Sequence, residues 1–188
     1  AKAYYNEPVR VLFAEKFSRS ANGGVGFAKA AGNYGAQFYP TSLAQKKGFQ
    51  QIIWTDANSH EYLEEAGTMN IFFRIGYKLL TAPTSDRILD GVTRKSVIQL
   101  AKDLNIDCEV RPVKVSEIKE AAIKGELKEI FGAGTAAVIS EISAFEHAND
   151  VFEIAHTDES YGALFKSHLL GIQHNKEADP YGWRYQVN

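Results

Sequence analysis

Lys29 lies between two glycine-rich steps, Gly23-Gly24-Val25-Gly26 and Gly32-Asn33-Tyr34-Gly35, and its near neighbours are Ala28, Ala30 and Ala31. A primary amine in so small and apolar a setting admits two readings. Desolvation would lower its pKa and suit it to Schiff-base chemistry with a carbonyl. Equally, a side chain of this length can carry its ammonium out to water. Two further glycine turns, Asp90-Gly91-Val92-Thr93 and Gly132-Ala133-Gly134-Thr135-Ala136, could bring backbone N–H groups against an anion. The first suits that role better, because a helical pattern starts immediately after it. The second would make a separate N–H nest. Any one of these turns is just as readily a plain chain reversal. The Gly23 to Gly26 stretch lacks the full dinucleotide fingerprint between a strand and a helix, which argues against a Rossmann site. Glu64 and Glu65, just before Ala66-Gly67-Thr68, read as a solvated acidic pair or as a catalytic carboxylate with its neighbour.

The elements that must position these groups mix strands and helices without a strict βαβ rhythm. Strand patterns run over 9–13, 51–55, 71–75, 77–80, 108–113, 136–143 and 151–154. Helical spacing covers 33–47, with Phe38, Leu43 and Ala44 toward the core, and Gly48 as its stop. Further helices are expected over 92–104, over 116–125 with Ser116 as N-cap, and over 161–173. The fold class is therefore α/β with a mixed sheet.

Composition narrows the function classes. The 188 residues are 45% hydrophobic and 23% charged, which fits an ordinary globular chain able to bury a sizeable core. With 23 acids against 21 bases the net charge is −2, so no general attraction to nucleic acid or an anionic membrane is expected. Cys108 stands alone, which excludes an intramolecular disulfide and a cysteine-built zinc site. The five histidines are scattered, so no metal site is indicated. No apolar run approaches the ~20 residues of a membrane-spanning helix.

Taken together, the motifs resemble one family. Lys29-Ala30-Ala31-Gly32-Asn33-Tyr34-Gly35 is similar to the segment around the cofactor lysine of branched-chain amino acid aminotransferases, the fold-type IV enzymes that use pyridoxal 5'-phosphate. Glu65-Ala66-Gly67-Thr68-Met69-Asn70-Ile71-Phe72, Asp90-Gly91-Val92-Thr93-Arg94 and Phe131-Gly132-Ala133-Gly134-Thr135-Ala136-Ala137 match the next three motifs in order and spacing. The stretch from Gly171-Ile172-Gln173 to Trp183 is similar as well, so the resemblance covers nearly the whole chain.

The resemblance implies a sheet partly closed into a barrel with helices around it, and it implies roles. Lys29 would bind the cofactor through its amine and then shuttle the substrate proton. Glu65 would face the pyridine nitrogen, and Tyr34 the ring's phenolic oxygen. The N–H groups of Val92 and Thr93 would hold the phosphate, joined by the Thr135 hydroxyl. The Thr135 and Ala136 amides would receive the substrate carboxylate. Thr68 would line the pocket, and Arg19 would support it. The implied reaction moves the amino group of leucine, isoleucine or valine to 2-oxoglutarate. D-amino acid aminotransferases and aminodeoxychorismate lyases share the lysine and glutamate, while the Gly32-to-Gly35 and Gly67-to-Asn70 wording favours the branched-chain group. A Cys-x-x-Cys pair of mammalian members is replaced here by Ala137 and Ser140. The family further implies a cytoplasmic homodimer acting on small molecules. It implies two domains, with residues 1–18 as connection and first strand, 19–188 as the cofactor-binding domain, and a small N-terminal domain for which these residues hold no counterpart. On that basis the chain is expected to be cut from a longer enzyme and to transaminate poorly by itself.

Overall fold

The computed structural model describes residues 7–187. Six strands close on themselves: β1 (Val9–Phe13), β2 (Gln51–Thr55), β3 (Tyr62–Ala66), β4 (Asn70–Ile75), β8 (Leu127–Gly134) and β9 (Val138–His147). Their order around the barrel is β4-β8-β9-β1-β2-β3, and β3 returns to β4. β1 is parallel to both its neighbours, while the other contacts of the ring are antiparallel. The sheet continues from β4 into β5 (Lys78–Thr81) and β6 (Cys108–Val110), while β7 (Val113–Lys114) pairs with β3 and β10 (Asp150–Glu153) with β9. The mixed, barrel-forming α/β fold is thus as expected.

Period-2 alternation builds the core. Val11, Ile53, Leu63, Ile71, Ile130 and Ile142, one from each ring strand, share a single buried cluster. Helix α4 (Val115–Ile123) adds Ile118 and Ala121 to it. The alternate residues face outward: Phe72 and Phe131 stack with centroids 5.2 Å apart beneath α3 (Val92–Asp103) and α5 (Tyr161–Gln173). Burying a phenylalanine of this kind contributes about 1.5–3 kcal/mol.

One polar hub fastens α5 to the barrel. The buried Glu129 carboxylate of β8 accepts the Tyr161 N–H at 2.8 Å, the Gly162 N–H at 3.3 Å, Arg74 Nη1 at 3.1 Å and the Ser160 hydroxyl. It therefore satisfies donors that the helix start would otherwise leave open. Ser160 itself caps the helix, accepting from the Ala163 N–H at 2.9 Å, and the Arg74 guanidinium lies 3.7 Å over the Tyr161 ring.

Several expectations need correction. The helix expected over 33–47 is two: α1 (Ala31–Gly35) and α2 (Phe38–Lys46). Gly32 and Gly35 weaken helix propagation, and Pro40 sits in the first turn of α2, where a missing N–H has no consequence. Ala44 is buried as expected, but Phe38 is 75% exposed. The strand expected over 108–113 splits into β6 and β7 at Pro112, which cannot donate to a ladder. Helix α4 starts at Val115 after Lys114, so Ser116 lies inside its first turn and is no cap. Gly132 and Gly134 belong to β8 rather than to a turn. A Cβ at Gly132 would meet Met69 Sδ at 2.6 Å, and one at Gly134 would meet the Thr68 carbonyl at 2.9 Å, so close approach of two chain segments demands glycine there. Residues 1–6 of the expected 1–18 connection lie outside the described residues; Val9–Phe13 forms a central barrel strand. No helix among the described residues is long and apolar enough to cross a membrane.

Candidate active site

The residues singled out by type and spacing converge. A cleft of about 260 Å³ is lined by Arg19, Lys29, Tyr34, Glu65, Thr68, Val92, Thr93 and Thr135, together with Asn70 and Gly91. Ala136 is absent from that lining; it is exposed in the 135–137 turn beside Thr135.

Three structural devices build the cleft. The first is the 19–29 loop that carries Lys29. Buried Asn33 donates its amide to the carbonyls of Val25 and Ala28, each at 2.8 Å, and Arg19 Nη2 donates to the Gly26 carbonyl at 3.1 Å. The loop is therefore held from two sides. Lys29 itself is exposed and borders the cleft.

The second device is Glu65, near the end of β3 and 4% exposed. The expected solvated pair does not exist, because both glutamates are buried and lead to different clefts. Glu65 Oε1 is paired with Arg19, Oε2 accepts Asn70 Nδ2 at 3.0 Å, and the Leu89 N–H lies 3.2 Å from each oxygen. Burial pushes the Glu65 carboxyl up from 4.5 to about 7, with Arg19, the Leu89 amide and Lys29 pulling it down and Glu64 pushing it up.

The third device is the N-terminus of α3. Gly91 precedes it with no side-chain cap, and its first turn carries no acid. Its open N–H groups and dipole end border the cleft, which is the arrangement that binds an anion. A Cβ at Gly91 would collide with Asn70 Oδ1, so glycine is needed for the helix to start this close. Opposite, the 135–137 turn joins β8 to β9, and Val138 after it has φ 57°, a costly conformation for a β-branched residue.

Asn33 and Asn70 hold this geometry and have no assigned role in the sequence reading. Asn33 and Asn70 stand within the quoted motifs, and polar amides in tightly packed runs were the available signal.

A buried carboxyl raised in this way ties the stability of the fold to pH. The folded-state pKa lies above the unfolded one, so the native state holds the extra proton between about 4.5 and about 7. This contribution is fully present below 4.5 and is lost as pH rises through about 7, by an amount on the order of 3 kcal/mol. Burial also raises Glu64, so the Glu65 part is isolated by difference. Urea midpoints of the cofactor-free chain should fall between acid and neutral pH, and Glu65→Gln should flatten that fall. An equal slope in both proteins would contradict the assignment.

A family model described as Amino-transferase class IV matches residues 3–145. A probable branched-chain-amino-acid aminotransferase of Staphylococcus epidermidis is 41% identical over 192 residues, covering 98% of this chain and 53% of that protein. The solved branched-chain amino acid aminotransferase from Escherichia coli matches with TM-score 0.80 at 25% identity, covering 96% of this chain and 58% of that one. A solved branched-chain aminotransferase from the archaeon Thermoproteus uzoniensis, with norvaline, matches with TM-score 0.71 at 26% identity, covering 90% and 54%. The chain spans about half the length of the curated relative it matches.

Proposed function

The chain belongs to the class IV amino-transferase family, and from that premise we propose that it carries the cofactor site of a pyridoxal 5'-phosphate-dependent transaminase. The proposed substrates are leucine, isoleucine or valine, with 2-oxoglutarate as acceptor. What supports the substrate class is that the Staphylococcus relative bears a branched-chain-amino-acid aminotransferase name. The observation that carries the reading is one cleft bordered by a lysine, a buried carboxylate and an uncapped, acid-free helix start.

The donor set fits the cofactor. The α3 N-terminus suits a phosphate dianion, with the Val92 and Thr93 N–H groups and the Thr135 hydroxyl to hold it. Glu65 suits a protonated ring nitrogen: a buried carboxylate near its ionisation point gains a charge partner there. Tyr34 offers its phenol to the ring oxygen. When bound, pyridoxal 5'-phosphate supplies an aldehyde for the substrate nitrogen and a ring that draws electrons from the substrate Cα. Lys29 Nζ holds the cofactor at rest and takes and returns the proton at the substrate Cα. The Thr135 and Ala136 amides orient the substrate carboxylate, and Thr68 borders the same space. Arg19 favours the ionised form of Glu65, against the rise that burial imposes. The exposed Val25, Phe27, Phe38 and Tyr39 support a homodimer as part of the same proposal.

Mixing the chain with pyridoxal 5'-phosphate, reducing with borohydride and mapping the adduct tests this reading. Modification confined to Lys29 is expected. No adduct, or adducts spread over exposed lysines such as Lys46 and Lys102, would refute it.

A further inference from the structure

We propose that Glu64 and Arg87, which belong to the neighbouring cleft, are positioning residues for Glu65: together they hold the turn against which Arg19 is fixed. The inference rests on the reading of Glu65 as the group facing the cofactor ring.

Successive residues of a strand project to opposite faces, so Glu64 and Glu65 leave β3 in different directions. Glu64 enters a separate cleft of about 350 Å³ that Asn22, Ser85 and Arg87 also line. There its carboxylate is paired with Arg87 Nε, while Arg87 Nη1 donates to the Asn22 side chain. Glu64 is 5% exposed, so this is a buried charge with one cationic partner.

The backbone of Arg87 faces the other way and serves the main cleft. Its carbonyl accepts from Arg19 Nη2 and from the Ser20 hydroxyl, the latter at 3.1 Å. The same Arg19 nitrogen is paired with Glu65. A Cβ on Gly26 would lie 2.7 Å from both the Arg87 Cα and its carbonyl oxygen, so the Lys29 loop rests directly on this residue. Two residues on, the Leu89 N–H reaches both Glu65 oxygens and the Leu89 carbonyl accepts from Asn70 at 2.8 Å. The turn over 85–89 is thus anchored by an ion pair on one side and fixes the partners of Glu65 on the other.

No substitution removes the Arg87 carbonyl; releasing the side chain only lets it move. Arg19 would then lose a placed acceptor and its hold on Glu65. Glu65 would remain buried with a weaker counter-charge and keep its proton to higher pH. The charged groups facing Glu65 are Arg19 and Lys29 from the loop, Arg94 from α3 and Glu64 on its own strand. Glu64 pushes the Glu65 carboxyl up, so neutralising Glu64 by itself lowers it. Direct electrostatics and positioning therefore predict opposite signs.

The test is an NMR titration of the cofactor-free chain labelled with 13Cδ-glutamate, with Glu65→Gln giving the assignment. The double variant Glu64→Gln/Arg87→Met removes both partners and leaves no unpaired buried charge. Its Glu65 midpoint is expected to rise by about one pH unit, a tenfold gain in proton affinity. Arg87→Lys, which can still pair with Glu64, should stay near the wild-type midpoint. Asn22→Ala alters only an exposed partner of Arg87 and should move the midpoint the same way by a smaller amount, which keeps the proposal testable if the double variant fails to fold. A lowered or unmoved midpoint in either folded variant overturns the proposal. Borohydride mapping separates the two failures: an unlabelled Lys29 in the wild type defeats the cofactor reading, whereas labelled protein with unshifted variants defeats only this one.

Discussion

Lys29→Ala is expected to lower transamination by the protein that carries this chain by about three orders of magnitude or more, with secondary structure and urea midpoint unchanged. The size follows from the two jobs proposed for one amine, holding the cofactor and moving the substrate proton, since loss of a positioned general base alone removes about 10²–10⁴ in rate. The neutrality toward folding follows from exposure: Lys29 sits at the cleft border and its side chain is not part of the core. The loop that presents it is held by Asn33 and Arg19, which the substitution leaves in place. Added small primary amines should restore part of the lost rate, because they can enter the vacated position and accept the same proton. Activity within about tenfold of wild type would remove Lys29 from the chemistry, since a positioned base contributes at least ~10².

Glu129→Ala should act on the opposite quantity. Glu129 lies away from the cleft, so its removal is expected to cost stability rather than catalysis, on the order of 3–5 kcal/mol. The substitution leaves Arg74, only 4% exposed, without its carboxylate and strips the start of α5 of acceptors for the Tyr161 and Gly162 N–H groups. Ser160 still caps the helix through the Ala163 N–H, so the loss falls chiefly on the unpaired guanidinium. Arg74→Met/Glu129→Met separates these contributions. Removing both charges should recover much of the loss, because two apolar side chains avoid the uncompensated ion. Urea unfolding of the single and double variants measures the difference. A single variant within about 1 kcal/mol of wild type would show that the hub contributes no more than an exposed pair.

These two residues mark what the sequence could and could not yield. Local patterns pick out Lys29, Glu65 and the Gly91 helix start through glycine steps, a short acidic pair and a helical stripe, but each leaves a plain alternative open, and only the four motifs together imply their roles. The β1, β4, α3 and α5 segments were legible through period-2 or period-3.6 spacing. Glu129 was not, because its strand ends in Phe131-Gly132-Ala133-Gly134, whose glycines resemble a turn unless the facing Met69 and Thr68 are known. The burial of Glu64 and Glu65 was hidden similarly, since their partners Arg87 and Arg19 lie 23 and 46 residues away in sequence. The break between α1 and α2 depended on local glycine and proline chemistry competing with an apolar spacing that continues across it.

The ring of six strands closes where β3 meets β4, and the one register pair at that seam is Glu65 opposite Asn70. The cleft's buried carboxylate and the amide bonded to it are therefore also the last stitch of the barrel. Local opening of the seam would expose both to water, and the cofactor proposed to sit against Glu65 would bind only while the seam is shut. Occupancy of the cleft and protection of the β3 and β4 amides from solvent exchange are consequently two views of one equilibrium.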